Sequence, residues 1–238
     1  MRFRKFYFLS FILLIALFLF LYEQFQMSNI LLVTQARNQL ADSLYCRFRK
    51  GPMVFHYGNE LLVIWETNCP EFILDLKWGP AGEELIFQDK TDITVIDDSH
   101  FVQKVLIYVG ENFFGDFQYQ LVQQSGSYVS QIFNIRFSGE YPIRFGLVSD
   151  NQDGVGVFGR LLSEISYHEL DYFFHTGDIV SMKFKLSDWH HQWFEPIEKS
   201  LFSNGMIPIS YTRGNHDFEF GYAYKYSLER PLWYTTVM

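Results

Sequence analysis

Three short polar clusters in the last third of the chain carry the residue types that metal-assisted hydrolysis requires. They are Ser149-Asp150-Asn151-Gln152-Asp153-Gly154, His175-Thr176-Gly177-Asp178 and Arg213-Gly214-Asn215-His216-Asp217. Each combines oxygen donors with a glycine, and the last adds an imidazole. Carboxylate and amide oxygens suit hard or borderline divalent cations. Two such ions about 3.5–4 Å apart can clamp a phosphate and activate a bridging water. An imidazole that binds no metal can then donate a proton or hydrogen bond to the phosphate or the leaving oxygen. Glycines beside the ligands let the backbone turn tightly where a strand ends.

The elements that must position these clusters are legible around them. Residues 143–149 form a short apolar strand. Residues 157–166 place Phe158, Leu161, Leu162 and Ile165 on one helical face. Residues 170–176 are strand-like. In 186–202, Trp189, Trp193, Ile197 and Leu201 repeat every four residues, which predicts a second helix that Pro196 must kink or in which it must sit where an unpaired backbone site is tolerated. Residues 206–212 form a third strand. The order β-α-β-α-β predicts a parallel sheet with right-handed crossovers. In such a sheet, functional groups gather past the carboxyl ends of the strands. Asp150, Asp178, Asn215 and His216 should therefore meet at one rim.

Upstream, residues 44–138 read as all-β. Strand-like runs at 53–56, 60–66, 72–78, 84–88, 93–96, 101–109, 116–123 and 131–137 alternate with turn signals such as Gly58-Asn59, Gly79-Pro80 and Ser125-Gly126-Ser127. Aromatic residues make up 19% of the chain, which favours β-rich packing. So many short strands predict an immunoglobulin- or fibronectin-like β-sandwich, with Trp65 in its core.

At the N-terminus, Arg2, Arg4 and Lys5 precede an uncharged run over residues 6–22. Its length borders on the ~17–25 residues that cross a bilayer. No small-residue cleavage site follows promptly. Residues 1–24 are thus expected to be a signal-anchor or transmembrane helix, with 25–43 juxtamembrane and the bulk of the chain exported to the periplasmic or extracellular side. Secretion after signal cleavage is the alternative. Cys46 and Cys69 are either bridged across a hairpin turning at Gly58-Asn59 or two free thiols. A net charge of −8 gives a nucleic-acid partner no electrostatic support.

The ordered set Asp150, Gly177-Asp178 and Gly214-Asn215-His216-Asp217 at strand ends resembles the calcineurin-like metallophosphoesterases. The preceding strand-rich region, with Lys50-Gly51-Pro52 and Trp65-Glu66-Thr67, and the stretch from Trp193-Phe194-Glu195-Pro196 to Pro208 look closer to the purple acid phosphatase-like branch with its fibronectin type III-like domain. The resemblance covers roughly residues 50–238. It implies a β-sandwich over 44–138 followed by an α/β phosphoesterase domain over 139–238. It implies hydrolysis of phosphate esters by a metal-bound hydroxide at a dinuclear site holding two divalent or trivalent ions (Fe, Mn or Zn). Asp150 and Gln152 would serve the first metal, Asp178 would bridge, and Asn215 would bind the second. His216 would contact the phosphate, and Asp217 would orient His216.

Departures from the family pattern qualify this. Gln152 stands where many members carry His. Ser181 stands where the purple branch carries its metal-binding Tyr. The family draws further ligands from a later lone His and a Gly-His-x-His motif, yet His216 is the last histidine here. The phosphoesterase domain is therefore expected to be partial and its second metal site incomplete. The competing expectation is a catalytically inactive truncated product, or a membrane-anchored binding module carrying a vestigial phosphoesterase half. Of the other histidines, His56 and His100 read as lone strand-end residues. His175 reads as packing, and His190 and His191 as positions on an amphipathic helix.

Overall fold

The computed structural model describes residues 45–57, 59–108, 116–135, 143–168, 170–182, 184–200, 207–217, 222 and 226. The chain divides into two compact units, Met1–Tyr45 and Cys46–Met238. The expected membrane segment at 1–24 and juxtamembrane stretch at 25–43 lie outside the described residues. No helix among the described residues is long and apolar enough to cross a membrane.

Within the second unit, the strands are β1 (Phe48–Tyr57), β2 (Glu60–Thr67), β3 (Leu74–Pro80), β4 (Phe87–Asp89), β5 (Asp92–Asp97), β6 (His100–Tyr108), β7 (Phe117–Gln123), β8 (Phe133–Ile135), β9 (Phe145–Val148), β10 (Tyr172–His175) and β11 (Ile209–Tyr211). They build two sheets. One has seven strands in the order β5-β6-β2-β1-β11-β10-β9, and the other has four in the order β4-β3-β7-β8. The regions expected at 44–138 and 139–238 therefore share a sheet. Strand β1 runs parallel to β11 with Phe55 opposite Ile209. The β11, β10 and β9 pairings are also parallel, as the alternating pattern predicts.

Alternation along β1 and β2 explains how one sheet serves two cores. Val54, Leu61, Val63 and Trp65 face the four-stranded sheet and pack with Leu74, Leu76, Phe117, Tyr119 and Phe133. Met53, Phe55, Leu62 and Ile64 point the other way, into a core shared with the helices. Both faces of these strands are buried, so they read as apolar runs. Trp65 is in the first of these cores, and its indole Nε1–H donates to Gln103 Oε1 at 3.1 Å. Cys46 and Cys69 are bridged, at the base of the hairpin in which Phe48 pairs with Thr67.

The edge of β11 away from β10 is covered by β1. On the face of β9 away from the helices, Phe145 and Leu147 remain exposed.

Helix α1 (Val155–Ser166) buries Phe158 and Leu162. The expected second helix is a composite: α2 (Leu186–Asp188), a π-helical stretch Trp189–Phe194, and α3 (Glu195–Ser200). The wider π turn accounts for the four-residue spacing of Trp189, Trp193 and Ile197, all buried. Pro196 lacks an N–H and so cannot donate to the Gln192 carbonyl four residues back. That carbonyl accepts instead from Asn151 Nδ2 at 2.7 Å, which ties the helix to the loop after β9.

Candidate active site

The three loops do converge past the carboxyl ends of β9, β10 and β11, which lie side by side. Asp150 and Asp178 follow the tips of neighbouring strands and adopt left-handed backbone conformations, with φ of 54° and 55°. They are the only non-glycine residues with positive φ among the described residues. Asp tolerates this region better than most residues, yet such conformations persist only where the surroundings enforce them. The Asp150 amide donates to the Gly177 carbonyl at 3.2 Å, joining the two tips.

Gly177, at φ 103°, passes very close to Gly214. A Cβ on Gly177 would lie 2.4 Å from the Gly214 nitrogen, and one on Gly214 would lie 2.1 Å from Asp178 Oδ1. Backbone contact without side chains brings the second and third loops together. The His216 amide then donates to Asp178 Oδ1 at 2.9 Å.

Asp217 acts differently from the expectation. Its Oδ1 accepts from the amides of Ile179 (2.8 Å) and Val180 (3.3 Å), and its Oδ2 from the Gly214 amide (3.1 Å). Both oxygens are taken by backbone, so this buried carboxylate clasps the second and third loops. The His216 ring is held elsewhere, with Nδ1 3.2 Å from the Ser181 carbonyl. Burial pushes the Asp217 carboxyl up, and the Asp178 charge adds to this. The three amide donors pull it down, and the net is a raised value.

Ser181, noted in the sequence only as a missing tyrosine, is a junction. Its amide donates to Gln192 Oε1 at 2.7 Å, and its hydroxyl accepts from Gln192 Nε2 and lies 3.0 Å from Asp153 Oδ1. Asn151 Nδ2 also donates to the Ile179 carbonyl at 3.1 Å. Sequence reasoning passed over Asn151 and Gln192, although a buried amide beside a strand tip is the usual signal of loop organisation.

Gln152 Oε1 is buried and has no hydrogen-bond partner. An unpartnered buried acceptor two residues after Asp150 is suited to a cation. Asp150, Gln152, Asp178 and Asn215 bring only carboxylate and amide oxygens to these loops, the donor chemistry that hard or borderline divalent cations take. Asn215 and His216 are exposed at the rim, and Asp178 is half-buried.

His175 stands behind the two aspartates. Its Nδ1 accepts from the Gly177 amide at 3.2 Å, so the proton sits on Nε2 and the ring is neutral. Burial lowers its pKa to about 4, against an upward pull from Asp150 and Asp178. Because the folded value lies below the ordinary 6.5, the neutral ring's contribution is present above pH 6.5 and is lost as pH falls toward 4. The shift corresponds to about 3 kcal/mol. Urea midpoints in chelator should fall over this window for the parent and fall less for His175→Asn. Parallel profiles for the two proteins would refute the assignment.

The cavity lined by Ile143, Arg144, Ile165, Tyr167 and Leu170, about 630 Å³, lies toward the opposite end of β9 from Asp150 and takes no part in this rim.

No curated protein matches the chain in sequence. A solved structure of a Paenibacillus sp. cycloisomaltooligosaccharide glucanotransferase complexed with cycloisomaltoheptaose is 10% identical with a TM-score of 0.33, too distant to carry an argument. That likeness covers 54% of this chain and 19% of the other. Residues 143–236, which hold all three loops, match the family model of the calcineurin-like phosphoesterases, and this supports the metallophosphoesterase superfamily and a metal-dependent phosphoesterase in general.

Proposed function

We propose that this chain binds metal through Asp150, Gln152, Asp178 and Asn215 and hydrolyses phosphate esters, with His216 facing the phosphate. The observation that carries this is the pair of left-handed aspartates at adjacent parallel strand tips. Their conformation is costly by about 1–3 kcal/mol each at a generic position, and it aims two carboxylates past the sheet. When bound, the metal would polarise the phosphoryl group and lower the pKa of water. The chain's part is to hold the loops. Asp217 clasps them, Asn151 and Ser181 fix the first and second, and the Ser181 carbonyl orients the His216 ring.

Among Fe, Mn and Zn, an all-oxygen donor set favours Mn²⁺. A dinuclear site remains the reading, with Asp178 as the shared carboxylate. Of the two histidines near the rim, His175 turns its Nδ1 lone pair to the Gly177 amide, while His216, with Nδ1 against the Ser181 carbonyl, keeps Nε2 for the phosphate.

The finer placement, in the purple acid phosphatase-like branch with a fibronectin type III-like sandwich over 44–138, draws support from the two sheets packed around Trp65. Export of the bulk of the chain draws support from the Cys46–Cys69 bridge, since disulfides persist in oxidising compartments.

The experiment is calorimetric titration with Mn²⁺, Fe²⁺ and Zn²⁺, paired with release of p-nitrophenol from its phosphate ester. Metal-dependent release that chelator abolishes is expected. A folded chain that binds no metal and releases nothing would instead identify a vestigial domain.

A further inference from the structure

A second cluster of ligand-type side chains lies away from the rim. Glu66 ends the row Leu62, Ile64, Glu66 on the helix-facing side of β2, and His100 begins the matching row with Val102 on β6. His190 reaches them from the π-helical stretch. Their ligand atoms all lie within 4.8 Å of one another. Glu66 Oε2 is 3.4 Å from His190 Nε2, and Glu66 Oε1 is 3.8 Å from His100 Nε2.

The His190 contact is at most a long hydrogen bond and the His100 contact is too long for one, and both spacings suit atoms that share an ion. Zinc with bonds of about 2.0–2.1 Å to nitrogen and oxygen sets tetrahedral ligand–ligand edges near 3.4 Å. Two further observations point to a ligand. Glu66 is 1% exposed, and its Oε1 has no hydrogen-bond partner. His100 Nδ1 lies 2.6 Å from Asp97 Oδ1, the carboxylate contact that fixes a ligating imidazole with its Nε2 lone pair free to bind. Glu66 and His100 also lie outside residues 143–236, so they are not part of the matched phosphoesterase segment.

We propose that Glu66, His100 and His190 form a binding site for a zinc-type divalent cation, oriented by Asp97, that staples the π-helical stretch to β2 and β6. Without metal, other groups occupy the space. The Arg49 guanidinium donates to His100 Nε2 and stands 3.8 Å from Glu66 Oε1. The Tyr226 hydroxyl donates to Glu66 Oε2 at 2.7 Å and lies 3.1 Å from His190 Nε2. Arg49 is thus a competing cation, which metal must displace. This inference is independent of the rim chemistry.

The test is zinc titration of the full chain, with the bound equivalents counted and thermal melting followed. The parent should bind one equivalent that Asp178→Asn retains and His190→Gln loses, and zinc should raise the melting temperature of His190→Gln by less than that of the parent. Arg49→Gln should tighten that equivalent at least tenfold, a gain that misfolding cannot produce. If His190→Gln, folded by circular dichroism, binds as many equivalents as the parent, the site is disproved. Weaker or unchanged zinc binding in Arg49→Gln would overturn it as well.

Discussion

Asp178→Asn should remove metal-dependent hydrolysis by at least about a hundredfold and leave the metal-free fold as stable as the parent. The magnitude is a lower bound, because disturbing groups that merely orient ligands already costs about 10–100-fold. The stability claim rests on backbone chemistry. Asn shares with Asp the ability to occupy the left-handed region found at position 178. Its Oδ1 can still accept the His216 amide. Only the charge is lost, and in the metal-free protein that charge opposes ionisation of Asp217. The variant should therefore unfold at an equal or higher urea concentration in chelator. Asp178→Ala confounds the two effects, since a residue without a polar side chain pays about 1–2 kcal/mol for that conformation. Equal hydrolysis by Asp178→Asn and the parent, at saturating Mn²⁺, would remove Asp178 from the site.

Gly177→Ala should cost about 2–5 kcal/mol of stability. Two terms contribute. At φ 103° an L side chain is strained by about 1–2 kcal/mol. The new Cβ also meets the Gly214 nitrogen at 2.4 Å and the Arg213 carbonyl carbon at 2.9 Å. Neither is the end of a flexible side chain, so the loops must part, and overpacking of this kind costs about 1–3 kcal/mol. Gly82→Ala separates the terms. Gly82 has φ 80° but nothing within 4 Å of its Cβ position, so it should show strain alone. Similar urea midpoints for the two variants would show that the Gly177–Gly214 approach is not needed.

Much of this arrangement is legible in the sequence, and the limits follow from the range of each signal. Asp150, Gly177-Asp178 and Gly214-Asn215-His216 announce strand tips because local chemistry, a short apolar run followed by polar and glycine residues, marks them. Their convergence follows from parallel topology. The role of Asp217 does not, because a carboxylate that binds backbone amides of Ile179 and Val180 looks the same in sequence as one that orients the neighbouring imidazole. The π-helical stretch left a trace in the four-residue spacing of its tryptophans, but Pro196 explained itself only once Asn151 was seen to take the Gln192 carbonyl. His100 and His190 each look solitary, since alternation gives the face of a strand and not what packs against it. For the same reason, apolar runs on both sides of residue 138 give no hint that β1 and β11 are neighbours.

That pairing has a cost in time. Phe55 of β1 meets Ile209 of β11, about 150 residues later in the chain. At ribosomal rates of roughly 5–20 residues per second, β1 waits on the order of ten to thirty seconds for its partner to be made. During that interval β2 can close one edge of β1 while the other stays open, an invitation to pair with foreign strands. Separations this long also slow folding after synthesis is complete. The junction that makes the two cores one sheet is therefore where newly made chains are most exposed to aggregation, and where a chaperone would have most to do.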